Sequence, residues 1–242
     1  MILVIDIGNT FVKLAVFNKG KMLIKKQLKT SELAIVLQDY YSEYKFANAI
    51  VSNVGKLKKN IFKGLEKVNF IFLDHKTPVP FTNNYATPYT LGVDRIALAA
   101  AAVTAYPNQN CLIIDAGTCI TYDFVSKDGE YLGGAISAGL AIRYKALNHF
   151  TESLPLLAKN NTTDKIIGGS TKESIEIGIE KGISYEIDGF IDDFRNHYAN
   201  FIIILTGGDA KHLSKSIKSS IFVRPNFLME GLYKIVAYNL SL

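Results

Sequence analysis

Ile2-Leu3-Val4-Ile5-Asp6-Ile7-Gly8-Asn9-Thr10 opens the chain, and Cys111-Leu112-Ile113-Ile114-Asp115-Ala116-Gly117-Thr118 restates it near the midpoint. Each stretch is a short apolar run that ends at an acid and a glycine turn, the pattern of a buried strand entering a tight hairpin. After the first turn, residues 11–17 return as a strand and residues 21–28 follow beyond an Asn-Lys-Gly turn; after the second, residues 120–125 return. Aligned on the acids, VIDIGNTFVKLAVF (4–17) and IIDAGTCITYDFV (113–125) share strand, acid, glycine, threonine and returning strand, with one residue fewer in the second turn. Two such starts, each followed by mixed strands and helices, predict a duplicated α/β architecture.

Working outward, helices are expected at 31–43 and 57–66, on either side of the strand-like AIVSNV, with another strand at NFIFL. Ser170-Thr171-Lys172-Glu173 has capping-box spacing, and Ile175, Ile179, Ile183, Ile187 and Phe194 follow at roughly helical intervals, so one long helix is predicted there. Ile202–Leu205 reads as a buried strand stopping at Thr206-Gly207-Gly208-Asp209, and residues 227–240 as a closing helix. With no Pro- or Ser-rich linker, the expected lobes are 1–110 and 111–242, sharing a cleft.

Composition narrows the function. The chain has 242 residues, 48% hydrophobic and 20% charged, which suits a folded protein with a sizeable core rather than a disordered one. A net charge of +5 is mild and scattered, so neither nucleic acid nor membrane is the expected partner. Cys111 and Cys119 cannot form a disulfide framework, no Cys/His spacing resembles a zinc site, and the N-terminus lacks a signal-peptide pattern. The uncharged run from Ile96 to Ile114 is broken by Pro107 and the polar residues after it, and reads as helix, turn and strand rather than a membrane span. A cytoplasmic enzyme or regulator is expected.

The paired acidic turns carry the chemistry. Glycine permits backbone amides to approach and surround phosphate oxygens, while an Asp at the strand end offers oxygen to a hard cation such as Mg²⁺. One Asp-x-Gly turn is usually only a turn; two in matching contexts point to a phosphate site. Thr206-Gly207-Gly208-Asp209 adds a third glycine turn, either a nucleotide contact or a strand-to-helix turn capped by Asp209.

Taken in order, Asp6-Ile7-Gly8-Asn9-Thr10, Gly92-Val93-Asp94-Arg95, Asp115-Ala116-Gly117-Thr118, Gly133-Gly134-Ala135-Ile136-Ser137-Ala138-Gly139 and Thr206-Gly207-Gly208-Asp209 resemble the bacterial type III pantothenate kinases, over nearly the whole chain. The Asp-Gly turns alone indicate the actin-like, sugar-kinase-like ATPase superfamily; Gly92–Arg95 narrows the resemblance. It implies a duplicated actin-like (ribonuclease H-like) core of two lobes, with mixed sheets flanked by helices. It also implies ATP-dependent phosphorylation of the 4′-hydroxyl of pantothenate, on the route to coenzyme A. Carried over by position, Asp6, Ile7, Gly8, Asn9, Thr10, Phe11, Val12, Lys13 and Thr118 are expected to bind ATP. Tyr85, Gly92, Val93, Asp94, Arg95 and Thr171 are expected to hold pantothenate, with Asp94 the proton acceptor. Asp115 is expected to ligate a monovalent cation, K⁺ or NH₄⁺, and Asp6 to meet Mg²⁺ through water or phosphate. The family also implies a homodimer whose pantothenate pocket is completed across the interface. Where the family commonly has proline, this chain has Ala138, which leaves that turn more freedom in the unfolded chain.

The residues bear their own reading. Phosphoryl transfer has a loose transition state, so positioning and charge neutralisation dominate, while an attacking alcohol still gives up a proton. Asp94 opens the alanine-rich helix of Ile96–Ala105, where the helix N-terminus favours the ionised carboxylate; alone, it reads equally as a cap paired with Arg95. Arg95 offers a forked donor set for an anion, or a surface salt bridge. Lys13 reaches a phosphate or faces solvent. The histidines (His75, His149, His197 and His212) receive no role, and both cysteines read as packing. Two other classes remain open: a nucleotide-binding regulator without catalysis, and another small-molecule kinase or phosphohydrolase of the superfamily.

Overall fold

The computed structural model describes residues 1–8, 11–53, 59–159 and 165–242. Asn9 and Thr10, two of the expected ATP residues, lie outside the described residues, as do residues 57 and 58 of the expected 57–66 helix. Through the first half run β1 (Ile2–Ile7), β2 (Val12–Asn18), β3 (Lys21–Leu28), α1 (Leu33–Tyr44), β4 (Asn48–Asn53), β5 (Asn69–Phe72), β6 (Thr82–Asn83) and α2 (Val93–Ala105). The second half holds β7 (Asn110–Ala116), β8 (Cys119–Val125), β9 (Glu130–Ala138), α3 (Leu140–His149), α4 (Thr171–His197), β10 (Phe201–Thr206), α5 (Ala210–Leu213), β11 (Phe222–Val223) and α6 (Phe227–Asn239).

Two compact units result, one of residues 1–107, 129–131 and 226–242, the other of 108–128 and 132–225. The expected division at 110/111 puts the C-terminal helix with the second half. Instead α6 packs on β1, β4 and α2, in the first unit.

The first unit is built on a sheet of order β3-β2-β1-β4-β5. β1 and β2 are antiparallel, as are β2 and β3, whereas β1 pairs parallel with β4 and β4 with β5. Alternation sends Leu3, Ile5, Ile7, Val12 and Leu14 to one face, where they pack on Leu33, Leu37 and Tyr40 of α1. α6 covers β1 on the other face, with Tyr233 stacked on Phe17 of β2 at 4.7 Å between ring centroids. Helices α2 and α6 approach until a Cβ on Gly231 would lie 1.9 Å from the Ala97 carbonyl oxygen, so only glycine fits there. Covered on both faces, β1 reads apolar throughout except at Asp6, which is 5% exposed.

The second unit repeats the plan: β9-β8-β7-β10-β11, with β7 antiparallel to β8 and parallel to β10, and β10 parallel to β11. That five-strand order matches β3-β2-β1-β4-β5, so the repeat between residues 4–17 and 113–125 is a repeat of whole sheets. The predicted long helix is α4, whose Ile175, Ile179, Ile183, Ile187 and Ile191 join Leu112, Ile114, Tyr122 and Phe124 in one core. Each such isoleucine contributes about 1.5–3 kcal/mol relative to exposure. The Ser170 hydroxyl caps α4 by accepting from the Glu173 N–H at 3.2 Å. Inside this unit Glu180 is 3% exposed, and its carboxylate meets the Tyr144 hydroxyl at 3.1 Å and His212 Nε2 at 2.7 Å.

Two local expectations need correction. Where a helix was predicted at 57–66, the described residues form a short 3₁₀ turn over Lys59–Phe62 and then a turn through Gly64 at φ +88°. A glycine held at positive φ ends helical continuation. Residues 133–138, read as a turn, extend strand β9, and Gly139 leads into α3.

Candidate active site

In the first unit the β1–β2 hairpin carries most of the expected ATP residues. The Gly8 N–H donates to the Phe11 carbonyl at 3.1 Å and closes the turn. Ile7 and Val12 point into the core, at 2% and 0% exposure, so their contribution to a phosphate comes through the backbone. Lys13 stands opposite Asp6 in the β1–β2 register, its ammonium 3.7 Å from the Asp6 carboxylate. Ser52 of β4 stands opposite Asp6 on the other side. Burial raises the Asp6 pKa above the ordinary carboxylate value; Lys13 opposes that rise, the Asp94 charge adds to it, and Ser52 offsets a little. Asp6, Lys13 and Asp94 therefore form one interacting group of charges in this unit.

Asp94 sits in the first turn of α2, its carboxylate accepting from the Arg95 N–H at 2.8 Å. Gly92 precedes the helix, and a Cβ there would lie 2.4 Å from Asp94 Oδ1, so glycine leaves the space the carboxylate occupies. Just before it, His75 Nε2 meets the Leu91 carbonyl at 2.9 Å. A histidine without an expected role thus ties down the segment entering Gly92–Arg95.

Arg95 is 4% exposed, which excludes the surface salt bridge left open for it. Its guanidinium carbon lies 5.6 Å from the Tyr85 ring centroid and 5.9 Å from that of Tyr131. The two rings are 6.0 Å apart, and Tyr131 is fully buried. Tyr131 reaches this place because the start of β9 pairs with β6, Asn83 opposite Tyr131. The arrangement frames a planar, permanently charged fork between aromatic faces, which suits a carboxylate-bearing ligand. Tyr131 carries no motif, and sequence reasoning missed it.

In the second unit Asp115 is the penultimate residue of β7, opposite Thr121 of β8 and Thr206 of β10. The Thr206–Asp209 turn folds over it: Gly207 has φ +96°, and a Cβ there would lie 2.3 Å from the Ala116 carbonyl oxygen and 2.4 Å from Asp115 Oδ1. The Asp209 N–H donates to that Ala116 carbonyl at 2.9 Å, and its carboxylate pairs with Lys159 at 2.6 Å. The Gly139 N–H donates to the Thr118 carbonyl at 3.1 Å, so the end of β9 braces the second hairpin, while Thr118 itself is exposed. Arg143 holds the backbone at position 138: its Nε donates to the Ala138 carbonyl at 2.8 Å, and its guanidinium pairs with Glu186.

Asp115 Oδ1 and the Ala116 carbonyl oxygen both face Gly207, and the buried Asp123 lies on the same sheet face, accepting from the Thr121 hydroxyl at 2.9 Å; no cluster of three or more His, Cys, Asp or Glu side chains suited to a metal occurs among the described residues. Carboxylate, carbonyl and hydroxyl oxygens are the ligand types a hard cation takes. Thr171, at the start of α4, lines a largely apolar cavity of about 770 Å³ between α3 and α4, with Leu147, Phe150, Ile175 and Ile179. Cys119 is exposed and Cys111 buried, its thiol pushed up to about 12 by burial, which fits packing at Cys111. Among the described residues no helix is long and apolar enough to cross a membrane.

Residues 2–193 match the family model described as type III pantothenate kinase. The chain is 46% identical to the type III pantothenate kinase of Flavobacterium johnsoniae over 243 residues, covering 100% of this chain and 99% of that one. It also aligns with a Campylobacter jejuni structure described as a Baf family transcriptional activator, at 25% identity, TM-score 0.64 and coverage of 99% and 100%. The fold is shared with the Clostridium difficile activator of 2-hydroxyisocaproyl-CoA dehydratase, solved with bound ADPNP, at TM-score 0.56 and 15% identity, covering 99% and 96%.

Proposed function

The chain belongs to the type III pantothenate kinase family, the enzymes that phosphorylate pantothenate with ATP in coenzyme A biosynthesis, and we propose that in this chain Asp94 is the base that receives the proton of the 4′-hydroxyl. The observation that carries this reading is the placement of Asp94 at the mouth of α2, in the same charged group as Asp6 and Lys13. A carboxylate there accepts the proton as the alcohol oxygen attacks the γ-phosphorus and the bond to the β,γ-bridging oxygen breaks. The transition state is loose, so a weak base suffices and most catalysis is positioning and neutralisation.

The other residues divide the remaining work. The Gly8 turn meets phosphate oxygens, with Asn9 and Thr10 assigned to ATP from the sequence alone, and Lys13 offsets charge as it moves to the bridging oxygen. Asp6 would meet a divalent ion through water or phosphate, and that ion would supply neutralisation of phosphate charge. Thr118 contacts the nucleotide. Arg95, between Tyr85 and Tyr131, binds the pantothenate carboxylate, while Gly92 and Val93 shape the approach to Asp94. Asp115 would hold K⁺ or NH₄⁺, which would supply further neutralisation of phosphate charge. The family resemblance carries the homodimer, in which a second copy completes the pantothenate pocket and Thr171 contributes to it. The cysteine usage and the substrates favour the cytoplasm.

A coupled assay with pantothenate and ATP, with and without K⁺, tests the reading, followed by mass detection of the product. Formation of 4′-phosphopantothenate, faster with K⁺, is expected. ATP binding without product from pantothenate supports the regulator instead, and product from another alcohol supports a different kinase of the fold.

A further inference from the structure

The β2–β3 register sets Lys13 opposite Gln27 and Ala15 opposite Lys25. Directly opposed residues share a sheet face, as do residues two apart on one strand, so Lys13, Lys25 and Gln27 stand on one face. Asp6 is opposite Lys13 and therefore on that face too. Lys25 also has a fixed anchor: its Nζ donates to Oδ1 of Asn226, the residue before α6, at 2.7 Å.

Charge counting separates Lys25 from an ordinary surface lysine. Lys25 is exposed overall, but partial desolvation lowers its pKa first, the Lys13 charge lowers it further, and Asp6 opposes both. Asp6 in turn feels Lys13 and Asp94. Two carboxylates and two ammonium groups thus act on one another within the first unit. Lys25 adds a second ammonium beside Lys13 to offset the two carboxylates before any divalent ion arrives. Two ammonium groups held together at an electrostatic cost gain most from an anion that meets both.

We propose that Lys25, on β3 and outside the glycine-turn motifs, is a second phosphate-binding cation, oriented by Asn226 and acting beside Lys13 on the phosphates of the nucleotide. The inference rests on reading the β1–β2 hairpin as a nucleotide-phosphate site.

Calorimetric titration with MgADP and a non-hydrolysable MgATP analogue, paired with steady-state kinetics, tests it on the full chain. Lys25→Met is expected to weaken nucleotide binding and raise KM for ATP about 10-fold or more, the loss of one charge-assisted hydrogen bond. KM for pantothenate should stay within about twofold while the melting temperature is unchanged, and Lys25→Arg should restore most nucleotide affinity. The salt dependence of binding should also become shallower in Lys25→Met, since one cation fewer meets the phosphates. Nucleotide affinity equal to wild type in Lys25→Met overturns the proposal, as does an equal rise in both KM values with a lowered melting temperature. The binding arm needs no phosphoryl acceptor, so it reads Lys25 even if pantothenate is not turned over. A wild-type protein that binds no nucleotide overturns the proposal together with the hairpin reading beneath it.

Discussion

The carboxylate of Asp94, at the start of α2, raises the cost of ionising Asp6, at the end of β1. One strand end and one helix start, far apart in sequence, thus bring two acids into a single electrostatic group that Lys13 partly offsets at 3.7 Å. Like charges gathered this way destabilise the resting protein and favour a bound cation or a cation-bearing ligand, and such arrangements collect at functional sites.

Replacing Asp94 by Asn removes the proton acceptor while preserving shape. Turnover is expected to fall by roughly 10²–10⁴-fold, the usual contribution of a general base. Pantothenate binding, measured by titration, should survive. Full activity in this variant rejects Asp94 as the base.

Asp6 makes an opposite prediction for stability. Its folded pKa is raised, so the protonated form favours folding: its stabilising contribution is complete below the ordinary carboxylate pKa of about 4 and is lost as pH climbs through the raised folded value. At neutral pH the ionised group therefore weakens the fold. Asp6→Asn should melt higher than wild type at pH 7, by about 2–4 °C for each kcal/mol relieved, and phosphorylate pantothenate poorly. The difference in melting temperature should shrink toward pH 4. A variant that melts lower than wild type at pH 7 contradicts the account.

Gly92 tests how closely the base must be placed. An added methyl at 2.4 Å from Asp94 Oδ1 must push that carboxylate aside, although φ −58° is comfortable for alanine. Gly92→Ala should lower kcat by about 10–100-fold, as a misplacement near 1 Å does, with little change in melting temperature. Unchanged kcat means that the carboxylate position is not critical.

Arg95→Lys retains charge but loses the planar group framed by Tyr85 and Tyr131. KM for pantothenate should rise about 10-fold, with a smaller change for ATP, because lysine meets a carboxylate as a point charge where arginine offers a planar bidentate fork. Tyr131→Leu should shift pantothenate in the same direction and Tyr131→Phe much less. Wild-type KM in Arg95→Lys argues against a role in gripping the carboxylate.

Much of the architecture was legible in the chain because its signals are local. Apolar runs ending at Asp6 and Asp115 mark two hairpins by a period of two, and Ser170 with the isoleucines after it marks α4 by a period near four. The acids, the glycine turns and Asp94 stand out in the chain for the same reason, as residue types at short, fixed spacings within one segment. Other features depend on partners distant along the chain. The return of α6 to the first sheet follows from Gly231 fitting against Ala97, the burial of Arg95 from Tyr131 arriving on β9, and the nearness of Lys25 to Lys13 from strand register. Spacing within a segment specifies which face a side chain takes, but which surface that face meets is chosen by long-range packing, and only the folded chain decides it.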